Sequence, residues 1–147
     1  MTNVLAGDIG GTTTRLGVFE QAPSRPSALA VREFRTLEFP DLPAMISTFL
    51  RSLPGTTIDA ASIASACFGV AGLVAGDIAD LTNIVWRVDA NAVRRALGLS
   101  RVSLLNDLEA LAYAIPVLLE SELHVLQAGR PVPDGRVAVL AAGTGLG

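Results

Sequence analysis

A single cysteine, Cys67, and a single histidine, His124, stand in the 147 residues. One cysteine excludes an internal disulfide framework and any cysteine-rich zinc site. One imidazole leaves little for a histidine-based metal centre. Aromatic side chains are scarce at 5%, and charged ones make up only 17%. With half the residues apolar, that low charge is the opposite of the pattern that keeps a chain unfolded. Eleven basic against fourteen acidic side chains leave a net charge of -3. Such a balance gives little general attraction for nucleic-acid phosphate or an anionic membrane. The most apolar stretch, residues 110–119, is broken by Pro116, flanked by Glu109 and Glu120, and too short to cross a bilayer. The opening Met-Thr-Asn-Val-Leu-Ala-Gly-Asp lacks the basic start and long apolar core of a secretory signal. The expectation is a cytoplasmic protein with neither nucleic acid nor membrane among its partners.

The patterning that is present alternates strands with helices. Residues 4–9 read as a strand that runs into the double glycine Gly10-Gly11, and residues 12–19 as the returning arm of a hairpin. Two prolines and two serines make 21–27 a loop, and 29–39 reads as a third strand with a bulge. Asp41 caps a helix with Pro43 in its first turn and Leu42, Met45, Ile46, Phe49 and Leu53 at helical spacing; Pro54-Gly55 ends it. Residues 60–70, small and apolar throughout, fit a buried central strand, and Gly69, Gly72 and Gly76 mark turns. Asp89 caps a second helix, with Val93 and Leu97 inward and Gly98 as its stop. A short strand at 102–105 feeds Asn106-Asp107 and a helix through Leu108, Leu111, Ala112 and Ile115, which Pro116 either kinks or ends. A last strand is expected at 137–140, before the turn 141–147. Three early strands followed by strand-helix alternation predict an α/β fold with a mixed sheet.

Several groups could carry chemistry. In Asp8-Ile9-Gly10-Gly11-Thr12-Thr13-Thr14-Arg15, a carboxylate at a strand end could hold hydrated magnesium. Its glycines would let phosphate approach backbone N–H groups and threonine hydroxyls. An ordinary hairpin turn capped by the same side chains is the plainer alternative. Neither a P-loop nor a Gly-x-Gly-x-x-Gly fingerprint is present. Asp107 could cap the helix that follows it, or accept a proton from a substrate hydroxyl that Asn106 orients. In Gly143-Thr144-Gly145-Leu146-Gly147 the glycines and Thr144 could meet a second part of a polyphosphate, or simply form a turn. Asn83, in Thr82-Asn83-Ile84-Val85-Trp86, could bind a substrate hydroxyl while Trp86 packs a neighbouring loop, or the five could be a turn around a buried aromatic. Cys67 lies in a small apolar strand with no base beside it, which suits a core position rather than a nucleophile. His124, between Leu123 and Val125, reads as structural.

The order of these groups is more telling than any one of them. Asp8-Ile9-Gly10-Gly11-Thr12, Gly69-Val70-Ala71-Gly72, Thr82-Asn83-Ile84-Val85-Trp86, Leu104-Leu105-Asn106-Asp107 and Gly143-Thr144-Gly145-Leu146-Gly147 together resemble bacterial glucokinase. That family lies within the actin-like (ribonuclease H-like) sugar-kinase ATPases. The resemblance implies magnesium-dependent transfer of the γ-phosphoryl group of ATP to the 6-hydroxyl of glucose. It assigns Asp8 to magnesium, through water, and to phosphate; Gly10, Gly11 and Thr12 to the first phosphate turn; and Thr144 and Gly145 to the second. It makes Asp107 the catalytic base and a sugar contact, Asn106 a sugar-binding neighbour, and Asn83 a further substrate contact. Where this sequence has Leu73 and Val85, such glucokinases often carry proline, a difference in loop stiffness.

The resemblance further implies two α/β lobes around a sugar cleft, here residues 1–111 and the beginning of a second at 112–147. The chain would then be the amino-terminal portion of a glucokinase that in complete form is a candidate homodimer. The remaining sugar-binding shell and most of the adenine site would follow it. A related hexose or amino-sugar kinase shares the same phosphate machinery. A non-catalytic sugar-responsive regulator or ATP-binding interaction module is the alternative from another class, though no DNA-reading helix is evident.

Overall fold

In the computed structural model the described residues are 2–53, 58, 60–130 and 132–141. Two sheets organise them. The larger has five strands in the order β3-β2-β1-β4-β8, and the smaller is the meander β5-β6-β7. Strand β1 (Asn3–Ile9) pairs antiparallel with β2 (Thr13–Glu20), which pairs antiparallel with β3 (Ser27–Arg35). On its other side β1 runs parallel to β4 (Ile63–Val70), and β4 parallel to β8 (Val102–Asn106). The sheet is therefore mixed, as the patterning predicted.

Side-chain alternation explains which face is covered. Leu5 and Ile9 of β1, Leu16 and Val18 of β2, and Phe68 and Val70 of β4 occupy register positions on one face, and all are buried. Helix α1 (Leu42–Arg51) contributes Leu42, Met45, Ile46 and Phe49 to the same core, and α2 (Ala90–Leu97) contributes Val93. Both begin as expected. The Asp41 carboxylate accepts the Ala44 N–H at 2.8 Å, and the Asp89 carboxylate accepts the Asn91 N–H at 2.7 Å. Gly98 ends α2 in the left-handed region, at φ 67°. On the opposite face, α3 (Asp107–Ala114) packs against β4. A Cβ on Gly69 would lie 3.1 Å from the Ala110 methyl carbon, so glycine there allows the close approach.

Several sequence expectations shift by physical cause. Residues 29–39 do not form one strand: β3 ends at Arg35, and a 3-10 turn, Thr36–Glu38, follows because Thr36 bonds back to the β1–β2 turn. Residues 60–62 form a 3-10 turn before β4. Gly69 and Gly72 lie inside strands, while Gly76 turns the chain at φ 62°. The meander itself, β5 (Gly72–Ala75), β6 (Ile78–Leu81) and β7 (Arg87–Asp89), lacks a clean sequence signal because its strands are only three or four residues long. Pro116 ends α3 rather than kinking it, at the 3-10 turn Ile115–Val117. The strand expected at 137–140 is absent. Val137 and Leu140 are exposed and no strand among the described residues pairs with them, so the backbone has no ladder to join there. After α3 the described residues form 3-10 turns and irregular chain. No helix of the described residues is long and apolar enough to cross a membrane.

Candidate active site

The three parallel strands bring the expected chemistry to one edge. Register aligns Asp8 with Gly69 and Gly69 with Leu105; one step on it aligns Ile9, Val70 and Asn106. The carboxyl ends of β1, β4 and β8 thus lie level, the edge at which parallel α/β sheets present ligand-binding loops. With strands roughly 4.8 Å apart, the backbones of Asp8 and Leu105 are separated by about 10 Å.

At the end of β1 the chain reverses tightly. The Gly10 N–H donates to the Thr13 carbonyl at 3.0 Å, and a Cβ on Gly10 would stand 2.8 Å from that oxygen. Glycine is thus required by close approach, and the turn's backbone stays bare. Thr12 and Thr13 are exposed at its tip. Asp8 is exposed too, opposite Arg15 on β2, but Arg15 is engaged by Glu33 at 3.1 Å. Asp8 itself has neither an ion pair nor a side-chain hydrogen bond among the described residues. Among those residues no group of three or more ligating side chains assembles. A cation here would rest on one carboxylate, waters and substrate oxygens, the coordination that magnesium accepts.

The turn is braced from beneath. Thr36 is fully buried; its hydroxyl donates to the Gly10 carbonyl at 2.7 Å and lies 2.9 Å from the buried Thr14 hydroxyl. Its N–H donates to the Thr12 carbonyl at 3.0 Å. Sequence reasoning missed Thr36. No spacing marks it, because its partners lie more than twenty residues away.

At the end of β8, Asn106 rather than Asp107 is the helix cap. The Asn106 Oδ1 accepts the Leu108 N–H at 3.0 Å, while its Nδ2 donates to the Gly72 carbonyl at 3.0 Å. The amide thereby ties β8, α3 and β5 together. Asp107 is the first helical residue; its Oδ1 shares the same Leu108 N–H at 2.9 Å. Its carboxylate is exposed and keeps its second oxygen unengaged among the described residues.

Loop 82–86, between β6 and β7, sits beside the glycine turn. A Cβ on Gly11 would lie 3.8 Å from Ile84 Cγ2. Trp86 is buried, with its indole N–H donating to the Phe39 carbonyl at 3.1 Å, while Asn83 is exposed. Leu73 and Val85 are exposed side chains, so the two departures from the proline pattern alter backbone stiffness without disturbing the core. Thr144 and Gly145 lie outside the described residues. Cys67 is half-buried; burial pushes its thiol up and the Glu109 carboxylate adds to the rise, a direction that disfavours the thiolate. His124 is exposed, in irregular chain, with no hydrogen bond or ion pair among the described residues.

Residues 5–147 match the family model described as Glucokinase. The chain is 38% identical over 148 residues to a glucokinase of Nostoc punctiforme, covering 100% of this chain and 42% of that one. To a glucokinase of Synechocystis it is 39% identical over 150 residues, covering 99% of this chain and 42% of the relative. The structure superposes on a crystal structure of glucokinase from an Antarctic psychrotroph with a TM-score of 0.85 and 26% identity, covering 100% of this chain and 45% of that chain. The chain thus spans about two fifths of the length of the curated relatives it matches. Its mixed α/β sheet is consistent with the actin-like ATPase and sugar-kinase superfamily. With the matched segment running from β1 to the last residue, the chain belongs to the glucokinase family.

Proposed function

We propose that the complete protein phosphorylates glucose, transferring the γ-phosphoryl group of ATP to the 6-hydroxyl with magnesium. The observation that carries this reading is the shared edge where Asp8 of β1 stands level with Gly69 of β4, Asn106 of β8 stands level with Val70, and Asp107 follows directly after β8. The Asp8 carboxylate beside the glycine turn and the second oxygen of Asp107 at a helix start, neither engaged among the described residues, suit the two ends of a phosphoryl transfer. Asp8 would hold magnesium through water, and the Gly10-Gly11-Thr12 turn would offer the Gly11 and Thr12 N–H groups and the Thr12 hydroxyl to phosphate. Magnesium, when bound, screens phosphate charge and stabilises the leaving group. Thr144 and Gly145 would contribute the second phosphate loop.

Asp107 is the proposed base. Its free oxygen takes the proton of the sugar 6-hydroxyl as that oxygen bonds to the γ-phosphorus. The bond from phosphorus to the bridging oxygen breaks, and ADP leaves. Alignment of the attacking oxygen supplies most of the benefit. Asn106 has one Nδ2 hydrogen left after its bond to Gly72, enough for a single sugar hydroxyl. Asn83 would be the further contact, on a loop that lies beside the glycine turn. The proposed division between lobes, residues 1–111 and 112 onward, falls inside α3, after the last strand of the large sheet.

The test is turnover by the complete protein with ATP and magnesium, comparing glucose with fructose, mannose and N-acetylmannosamine. Preference for another sugar would overturn the substrate. Asp107→Asn keeps size and hydrogen-bonding capacity, so a folded variant should lose turnover by at least about a hundredfold, the scale of general-base catalysis. Near-normal turnover would remove Asp107 from the mechanism.

A further inference from the structure

Residues 36–39, between β3 and α1, have no assigned part in the chemistry, yet they grip both loops assigned to substrate. On one side the Thr36 hydroxyl donates to the Gly10 carbonyl at 2.7 Å, and the Thr36 N–H donates to the Thr12 carbonyl at 3.0 Å. A hydroxyl has one proton, so the 2.9 Å bond to Thr14 must be donated by Thr14. Thr36 therefore uses its N–H, its hydroxyl proton and an oxygen lone pair on the β1–β2 hairpin. On the other side the Phe39 N–H closes the 3-10 turn onto the Thr36 carbonyl at 3.3 Å, and the Phe39 carbonyl accepts the Trp86 indole N–H at 3.1 Å. The Phe39 ring is held edge-on against Phe34, with ring centres 5.6 Å apart. Loop 82–86 then comes back toward the start, with Ile84 Cγ2 3.8 Å from where a Cβ on Gly11 would stand.

These hydrogen bonds run from Gly10 and Thr12 through Thr36 and Phe39 to Trp86, and the nearness of Ile84 to Gly11 bends the path round toward a ring. We infer that Thr36 is a positioning residue, and that the Thr36–Phe39 brace sets the phosphate turn and the Asn83 loop in one geometry. The inference rests on the functional reading of those two loops. Packing alone would accept valine here, since it fills nearly the same volume. Valine would leave the Gly10 carbonyl without this donor and the buried Thr14 hydroxyl without its acceptor. The turn would then be free to shift, and the loop joined to it through Phe39 and Trp86 would shift with it.

The experiment compares Thr36→Val and Thr36→Ser in the complete protein. Thr36→Val should lower kcat/KM about tenfold for both ATP and glucose, whereas Thr36→Ser, which keeps the hydroxyl, should stay within about twofold of wild type. Hydrogen exchange read by mass spectrometry should show faster exchange in Thr36→Val across peptides spanning 8–14 and 82–86, with Thr36→Ser protected. A Thr36→Val protein that is less stable but kinetically normal would make Thr36 merely structural and overturn the inference, as would equal damage in both variants. If wild type fails to phosphorylate glucose, the functional reading falls and exchange alone decides the brace. Loss of protection in both peptides with rescue by serine then supports it, and loss in one or neither overturns it. Should Thr36→Val not fold, Trp86→Phe tests the path from its far side. Faster exchange at 8–14 supports the brace, and unchanged exchange there overturns it.

Discussion

Gly72→Ala probes the point where the small sheet is joined to the head of α3. A Cβ at this position would lie 2.1 Å from the Asp80 carbonyl oxygen, 2.9 Å from its carbon and 3.0 Å from the Leu81 Cα. All three are backbone atoms of β6, which pairs with β5 through Gly72 and Leu81, so no side chain can swing aside. The two strands must part, and overpacking of this kind costs about 1–3 kcal/mol. The same movement displaces the Gly72 carbonyl from Asn106 Nδ2, a bond of 3.0 Å whose loss adds about 1 kcal/mol. The total expected is about 2–4 kcal/mol. Urea unfolding of the complete protein, extrapolated linearly, measures it. Gly129→Ala is the control: a Cβ there meets nothing within 4 Å, so its effect should stay within about 0.5 kcal/mol. A Gly72→Ala protein indistinguishable from that control would refute the tie between β5, β6 and α3. Because Asn106 is adjacent to Asp107, turnover should also fall under conditions where the variant remains folded.

The other expected outcomes draw on core packing, thiol burial and titration. Phe49→Ala removes a fully buried ring packed edge-on against Phe34 and should cost about 3–5 kcal/mol in the same unfolding assay. Cys67, its thiol pushed up by burial and by Glu109, should be alkylated by iodoacetamide near pH 8 far more slowly in the native protein than after denaturation. Equal rates would show that the strand is open. Glu122 is held down to about 2 by its hydrogen bond with Arg25, helped by the Leu119 N–H, from an ordinary 4.5. A lowered carboxylate contributes stability that is present above 4.5 and lost as pH falls toward 2. Thermal melts taken between pH 6 and pH 3 should therefore decline less steeply for Glu122→Gln than for wild type, and parallel curves would count against the pairing.

What was legible in the sequence followed from local rules. Asp41, Asp89 and Gly98 announce helix ends because a cap needs only its own few residues. Residues 4–9, 12–19 and 102–105 come close to the observed strands because each is an apolar or β-branched run punctuated by a turn. Local rules fail where the partner is distant or absent. Val137 and Leu140 have strand-forming neighbours but no ladder among the described residues. The meander β5-β6-β7 has strands too short to carry periodicity, and its first ladder includes Gly72, which looked like a turn residue from its type alone.

The candidate site divides along the same line. Asp8, Gly10, Gly11, Asn106 and Asp107 were visible because they lie where apolar runs stop, and parallel pairing then brings those stops to one edge. The division of labour within the pair was not visible. Either residue can cap a helix by type, and only the distance from Asn106 Nδ2 to the Gly72 carbonyl shows that asparagine is the one committed to structure. That commitment has a chemical consequence. A carboxylate used wholly as a cap would spend its lone pairs on backbone N–H groups. With Asn106 taking the cap and the cross-tie, Asp107 keeps an oxygen for a substrate proton while standing on a rigid helix start. Exchanging the two, as Asn106→Asp with Asp107→Asn, should therefore leave a capped helix and destroy turnover. A double variant that retains activity would show that the two positions are interchangeable and that the tie to Gly72 is incidental.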